Sequence, residues 1–144
     1  MINSAVAEAA VDAPRAVPRT KRVMSPSPEA FLPLTPLWFN ILLAAADGPT
    51  HGYAVLKEIE ERTGGALSPG TGTMYVALQR LVEEGLLRES KKGRQSYHDK
   101  RARRHYALTA LGRDVCAAEA RRLAAEVSAA VDKKLLDPGA VRAR

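Results

Sequence analysis

The stretch GTGTMYVALQRLVEEGLLR, residues 70–88, decides how this chain is read. Met74, Leu78, Leu81 and Val82 follow the i, i+4, i+7, i+8 spacing of an amphipathic helix. Its start falls between Ser68 and Thr71, and Gly85 stops it. Around the helix axis, Thr73, Val76, Arg80 and Glu83 point away from the apolar stripe, with Gly72 and Gln79 flanking that outer face. Leu86-Leu87 then opens a short apolar segment that runs directly into positive charge. Residues 88–104 carry eight basic side chains (Arg88, Lys91, Lys92, Arg94, Lys100, Arg101, Arg103, Arg104) against Glu89 and Asp99. That net of +6 equals the charge of the whole protein. A second apolar segment, Tyr106-Ala107-Leu108, closes the run, as it would on a hairpin. A cationic finger held in this way suits a polyanion, because it neutralises several phosphates and releases their counterions.

Upstream, Thr35-Pro36 reads as N-cap and first residue of a helix, since proline lacks only an amide that would be orphaned there. That helix is apolar on nearly every side (Leu37, Trp38, Phe39, Ile41, Leu42, Leu43). It is therefore expected in the middle of the domain or in a subunit interface. Asp47-Gly48-Pro49 ends it. Thr50 is expected to cap a second helix, whose Val55, Leu56 and Ile59 share one face while Lys57, Glu58, Glu60 and Glu61 face water. Thr63-Gly64-Gly65 breaks that helix. Residues 1–34 hold five of the nine prolines and few large apolar side chains, and are expected to form a flexible leader.

Downstream, Thr109 is the expected N-cap of a final helix running to about Leu136, where Asp137-Pro138-Gly139 stops it. Cys116, Ala120, Leu123, Val127 and Val131 recur every three or four residues along it. Small neighbours would let a second helix approach closely. At 28 residues such a helix spans roughly 42 Å, more than a domain of this size covers, so a dimer seam is expected along Ala120, Leu123, Val127 and Val131.

Composition removes several classes of function. The chain has 144 residues, 46% of them hydrophobic, enough for one packed domain. One cysteine excludes an intramolecular disulfide or a Cys-based zinc cage. His51, His98 and His105 lack metal-ligand spacing, so no metal is expected. Gly70-Thr71-Gly72 lacks the Gly-Lys-Ser/Thr ending of a phosphate loop. No cofactor and no catalytic constellation is found, and the chain reads as a non-enzyme. The longest apolar run, Leu37 to Ala46, is too short to span a bilayer, and no signal peptide is evident. A cytoplasmic protein without a membrane partner is expected.

Three helices followed by a two-stranded wing is the order of a winged helix-turn-helix, in which the second helix of the pair lies in the major groove. The fold class is mainly α with a small β-hairpin: a winged helix-turn-helix (35–108), a C-terminal dimerisation helix (109–136) and a short tail (137–144). Double-stranded DNA is the expected partner. On the outer face of the reading helix, threonine can bond a base or touch a thymine methyl. Glutamine can pair with adenine, and arginine can fork onto guanine.

The chain resembles the PadR family of bacterial transcriptional regulators, in its short form with a single C-terminal helix. The resemblance is carried by Leu34-Thr35-Pro36-Leu37, His51-Gly52-Tyr53, Gly72-Thr73-Met74-Tyr75 with Leu78, Arg80 and Leu81, and Glu84-Gly85-Leu86-Leu87. Arg103-Arg104-His105-Tyr106-Ala107-Leu108-Thr109 with Leu111-Gly112-Arg113 completes it. It implies a homodimeric repressor on an inverted repeat. The candidate DNA contacts are His51, Thr73, Tyr75, Val76, Gln79, Arg80, Lys91, Lys92, Arg94, Arg101, Arg103 and Arg104. It also implies a small aromatic or apolar effector, seated between the first and last helices near Trp38, Leu42, Cys116 and Leu123. Two other readings compete: a winged-helix protein-interaction module whose basic loop docks an acidic partner, and a non-specific nucleic-acid binder.

Overall fold

The structure is a computed structural model that describes residues 26–90 and 104–141. Lys91, Lys92, Arg94, Arg101 and Arg103, and most of the expected leader, lie outside the described residues. The order is a 3-10 turn (Pro28–Phe31), α1 (Pro36–Ala45), β1 (Thr50–His51), α2 (Gly52–Arg62), α3 (Thr71–Glu83), β2 (Leu87–Ser90), β3 (His105–Leu108), α4 (Ala110–Asp132) and a 3-10 turn (Pro138–Val141).

The expected cap of α1 is present: Thr35 Oγ1 accepts from the Trp38 amide at 3.1 Å, with Pro36 in the first turn. The helix lies in the middle of the molecule, touching α2, α3, α4 and β3. Ile41, Leu42, Ala44 and Ala45 are buried, and Leu37, Trp38, Phe39 and Leu43 pack around them. Each fully buried Ile or Leu contributes about 1.5–3 kcal/mol. Arg113 of α4 donates to the Ala46 carbonyl at 3.1 Å, filling one of the acceptors that the end of α1 leaves open.

α3 buries Met74, Leu78 and Leu81 of the expected stripe together with Ala77, while Val82 is half-buried. Its end is a Schellman turn. Gly85 takes φ 83°, the Leu86 amide reaches the Leu81 carbonyl at 2.9 Å, and the Gly85 amide reaches Val82 at 3.0 Å. Leu81 and Leu86 are both fully buried, supplying the apolar contact that accompanies this motif. The chain is thereby turned straight into β2. Thr109 then joins wing to last helix: its hydroxyl accepts from the Gly112 amide at 2.8 Å and donates to the Gly85 carbonyl at 2.6 Å. Gly112 is there because nothing larger fits. A Cβ on it would lie 1.9 Å from the Leu86 carbonyl oxygen.

Four expectations need correction. The hairpin is part of a three-stranded antiparallel sheet of order β1-β3-β2, with Thr50 opposite Tyr106 and His51 opposite His105. Thr50 therefore belongs to a strand, and His51 caps α2, its Nδ1 accepting from the Ala54 amide at 3.2 Å. Ordered structure starts ahead of Thr35. The Pro28–Phe31 turn packs on α4, Leu34 is buried, and Phe31 and Leu32 join the core. Finally, α4 stops at Asp132 rather than Leu136, in a Schellman turn whose left-handed residue is Lys134 at φ 62°. The Leu135 amide reaches Ala130 at 2.9 Å there. With no glycine to mark that end, the Asp137-Pro138-Gly139 signal further along the chain sets the expected boundary too far.

Candidate nucleic-acid interface

Gly70 opens α3 without a side-chain cap, and at Gly70 and Gly72 an added Cβ would meet nothing within 4 Å. The approach to the helix N-terminus is therefore unobstructed. Along the outer face Thr73, Gln79 and Arg80 are exposed, Tyr75 is 44% exposed and Val76 61%. Tyr75 and Val76 add an aromatic and an aliphatic side chain to this exposed face. Gln79 donates to Glu83 at 3.4 Å, a long exposed contact that is easily exchanged for another partner. The face thus offers hydroxyl, amide and guanidinium groups among apolar ones.

Tyr75 is tied to the start of α2. A Cβ at Gly52 would fall 2.7 Å from both the ring and the hydroxyl of Tyr75, so glycine is required for the ring to lie over that helix terminus. One residue earlier, His51 fixes its own tautomer. Because Nδ1 accepts the Ala54 amide, the neutral ring carries its proton on Nε2. Its edge meets the His105 ring at a centroid distance of 5.4 Å and an interplanar angle of 78°. His51, Tyr75 and His105 are thus gathered where α2, α3 and the sheet converge. Tyr106, on β3, is buried; burial pushes its phenol up against the opposing pull of Arg104, so it stays neutral. Tyr53 is 59% exposed with the Lys57 ammonium 5.9 Å from its ring centroid, which places it on the surface.

Of the basic wing, the described residues include Arg88 and Arg104. Arg104 faces Glu89 at 3.6 Å, with both side chains more than half exposed. Such an exposed pair contributes little to stability.

Of the residues expected around an effector, Leu42, Cys116 and Trp38 belong to one packed cluster, which Leu123 does not join. Leu42 and Cys116 are packed in the core, and burial pushes the Cys116 thiol up, which disfavours its thiolate. Trp38 also lines an open groove of about 840 Å³ between α1 and α3, with Thr35, Leu37, Gly72, Thr73, Val76, Ala77 and Arg80. On α4, Ala120 and Val127 are exposed and Leu123 and Val131 half-buried, so the stripe beyond Cys116 has left the core.

Sequence reasoning missed Glu119, which is 2% exposed. Arg122 holds its carboxylate with two bonds of 2.8 Å, and with the Leu34 amide this keeps the carboxyl below its usual range despite burial. Glu119 thereby ties the N-terminal segment to α4. Its only local signal is Arg122 three residues on.

Among the described residues no group of His, Cys, Asp and Glu could hold a metal, and no helix is long and apolar enough to cross a membrane.

A helix pair whose second member presents an unburied polar face, followed by a small antiparallel sheet, defines the winged-helix class of DNA-binding folds. Residues 41–118 match the family model of the transcriptional regulator PadR-like family. That is more than half of the chain, and the chain belongs to this family of transcriptional regulators. A PadR family transcription regulator from Clostridium difficile shares the fold at TM-score 0.56 and 24% identity, covering 67% of this chain and 95% of that one. RosR of H. salinarum is 29% identical over 74% of this chain and 99% of its own, at TM-score 0.51. A 37.1 kDa protein in transposon TN4556 of Streptomyces fradiae is 41% identical over 85 residues, 58% of this chain. The matched region spans only 22% of that relative's length.

Proposed function

We propose that the protein is a homodimeric repressor that reads an inverted-repeat DNA site, with α3 in successive major grooves and the basic segment 88–104 on flanking backbone. The observation that carries this reading is the outer face of α3, where Thr73, Val76 and Arg80 are exposed at the unobstructed N-terminal end and middle of a rigidly packed helix. Thr73, Tyr75, Val76, Gln79 and Arg80 supply base or near-base contacts. His51 serves at the mouth of α2, and Lys91, Lys92, Arg94, Arg101, Arg103 and Arg104 supply phosphate contacts. The α4 stripe of Ala120, Leu123, Val127 and Val131 is the seam between subunits. Residues 35–108 form the DNA-reading unit and residues 109–136 the dimerisation helix. A small apolar or aromatic effector would release the operator by binding the DNA-incompetent dimer more tightly than the competent one.

The two kinds of contact separate experimentally. Changing Lys91, Lys92 and Arg94 together to Ala is expected to weaken binding to every duplex and to flatten the salt slope by about one unit for each phosphate no longer neutralised. Thr73→Ala or Gln79→Ala is expected to change preference among sites by about 1–3 kcal/mol at the position read, with the slope unchanged. A protein-interaction module would show neither effect. A non-specific binder would show only the first.

A further inference from the structure

A groove runs between α1 and α3 above the core that Leu37, Trp38 and Ala77 help to build, and three of its lining residues, Thr73, Val76 and Arg80, are also the outer face of α3. Its opposite wall is Leu37 and Trp38 of α1, its floor includes Ala77, and Gly72 leaves one end without bulk. Resting on the DNA-reading role assigned to α3, we propose that this groove is an apolar subsite of the DNA interface that takes the 5-methyl group of a thymine, with Trp38 as a specificity-determining contact.

Three observations favour this occupant. Among the described residues the lining carries one cation, Arg80, and no carboxylate, so nothing in it repels the phosphates flanking a base. Its remaining surface is largely aliphatic and indole, and the thymine methyl is the one apolar group that base edges present in the major groove. The groove is also open to solvent rather than closed, whereas sites for free small molecules usually bury most of the ligand. An open wall beside a reading helix suits the edge of a polymer. Val76 and Trp38 would close on the methyl from opposite sides while Arg80 holds the neighbouring backbone or base.

Trp38 is the only tryptophan of the chain, so its fluorescence reports this subsite alone. The full-length protein would be titrated with the duplex that a random-library selection enriches. Anisotropy of the labelled duplex would be followed alongside quenching of Trp38 by acrylamide, which is uncharged and so is not excluded by the field of the DNA. Saturation with duplex is expected to lower the quenching constant at least about threefold. Replacing thymine by deoxyuracil at one position in each half-site removes only the two methyls, and is expected to weaken wild-type binding about three- to fivefold per half-site, or about ten- to twenty-fivefold for the pair. Trp38→Ala is expected to abolish that sensitivity. Val76→Ala, a truncation at an exposed position, should do the same and serves if the Trp38 variant does not fold. If the selected duplex binds while acrylamide reaches Trp38 as freely as before, or if both variants still distinguish thymine from deoxyuracil, the subsite is wrong and the reading helix stands. If no duplex is selected or bound, the reading role of α3 falls and the subsite falls with it.

Discussion

From Ala110 to Glu119, α4 buries Gly112, Val115, Cys116, Ala118 and Glu119; from Ala120 to Asp132 it buries none of its residues. Both halves are rich in alanine and their sequences differ little in character, so helix propensity does not distinguish them. The first half is held by specific geometry. Thr109 caps it, Gly112 lies against the Leu86 carbonyl, and Glu119 anchors the N-terminal segment. The second half has Arg122 on Glu119 and half-buried Leu123 and Val131 but no buried residue, and an isolated helix of that length is marginal in water. The proposed seam falls on this second half, where Ala120, Leu123, Val127 and Val131 recur every three or four positions. The same contrast divides α3, one face of which forms the core while the other meets solvent.

The largest effect is expected from closing the tight approach in the first half. Gly112→Ala puts a methyl into the Leu86 carbonyl, and a backbone oxygen cannot step aside as a side chain would. Stability should fall by about 3 kcal/mol, the upper end of the overpacking range, in denaturant unfolding. A variant as stable as the parent would mean that α4 and the wing are not in the close register described.

Leu123→Glu, in the second half, should instead spare the subunit and break the dimer. Sedimentation should show the dimer dissociation constant raised about 30-fold or more, corresponding to the roughly 2 kcal/mol of a central interface residue. Retention of a wild-type dimer would place the seam elsewhere.

Glu119 gives the pH dependence. Its carboxyl is held below the unfolded value by Arg122 and the Leu34 amide. The resulting stability is therefore complete above the unfolded carboxylate pKa and is lost as pH falls through the lower folded value. Glu119→Gln should cost about 1–2 kcal/mol at neutral pH and make the acid limb of the stability curve shallower. An unchanged acid limb would show that the carboxylate does not carry this linkage.

The smallest effect belongs to the end of the second half. Lys134→Gly relieves a left-handed residue, offset by the greater freedom of glycine in the unfolded chain. Thermal unfolding should show a gain in stability of under about 1 kcal/mol.

Much of this arrangement is legible in the sequence because local chemistry specifies it. Thr35 and Thr109 announce helix starts through hydroxyl caps, Gly85 announces a stop through its left-handed φ, and the α3 stripe follows from periodicity alone. What escapes is decided by partners distant along the chain. A two-residue strand such as Thr50–His51 has no period to detect, and it forms because β3 has a free edge. An imidazole cap at His51 imitates a hydroxyl or carboxylate cap without belonging to the usual set. Glu119 reads as a solvent-facing acid until Leu34 is brought beside it. Trp38 reads as a core or effector residue, and only the packing of α1 against α3 shows which way it faces. For the site, the outer positions of α3 are readable as exposed, while their bases are not, because those depend on the DNA.

The most direct test of a dimeric DNA reader is selection of bound duplexes from a random library by the full-length protein at about 150 mM salt. An inverted repeat should be enriched, with half-sites about one helical turn apart or a multiple of it, as a two-fold dimer requires. Binding without enrichment, or enrichment of a single unrepeated half-site, would contradict it.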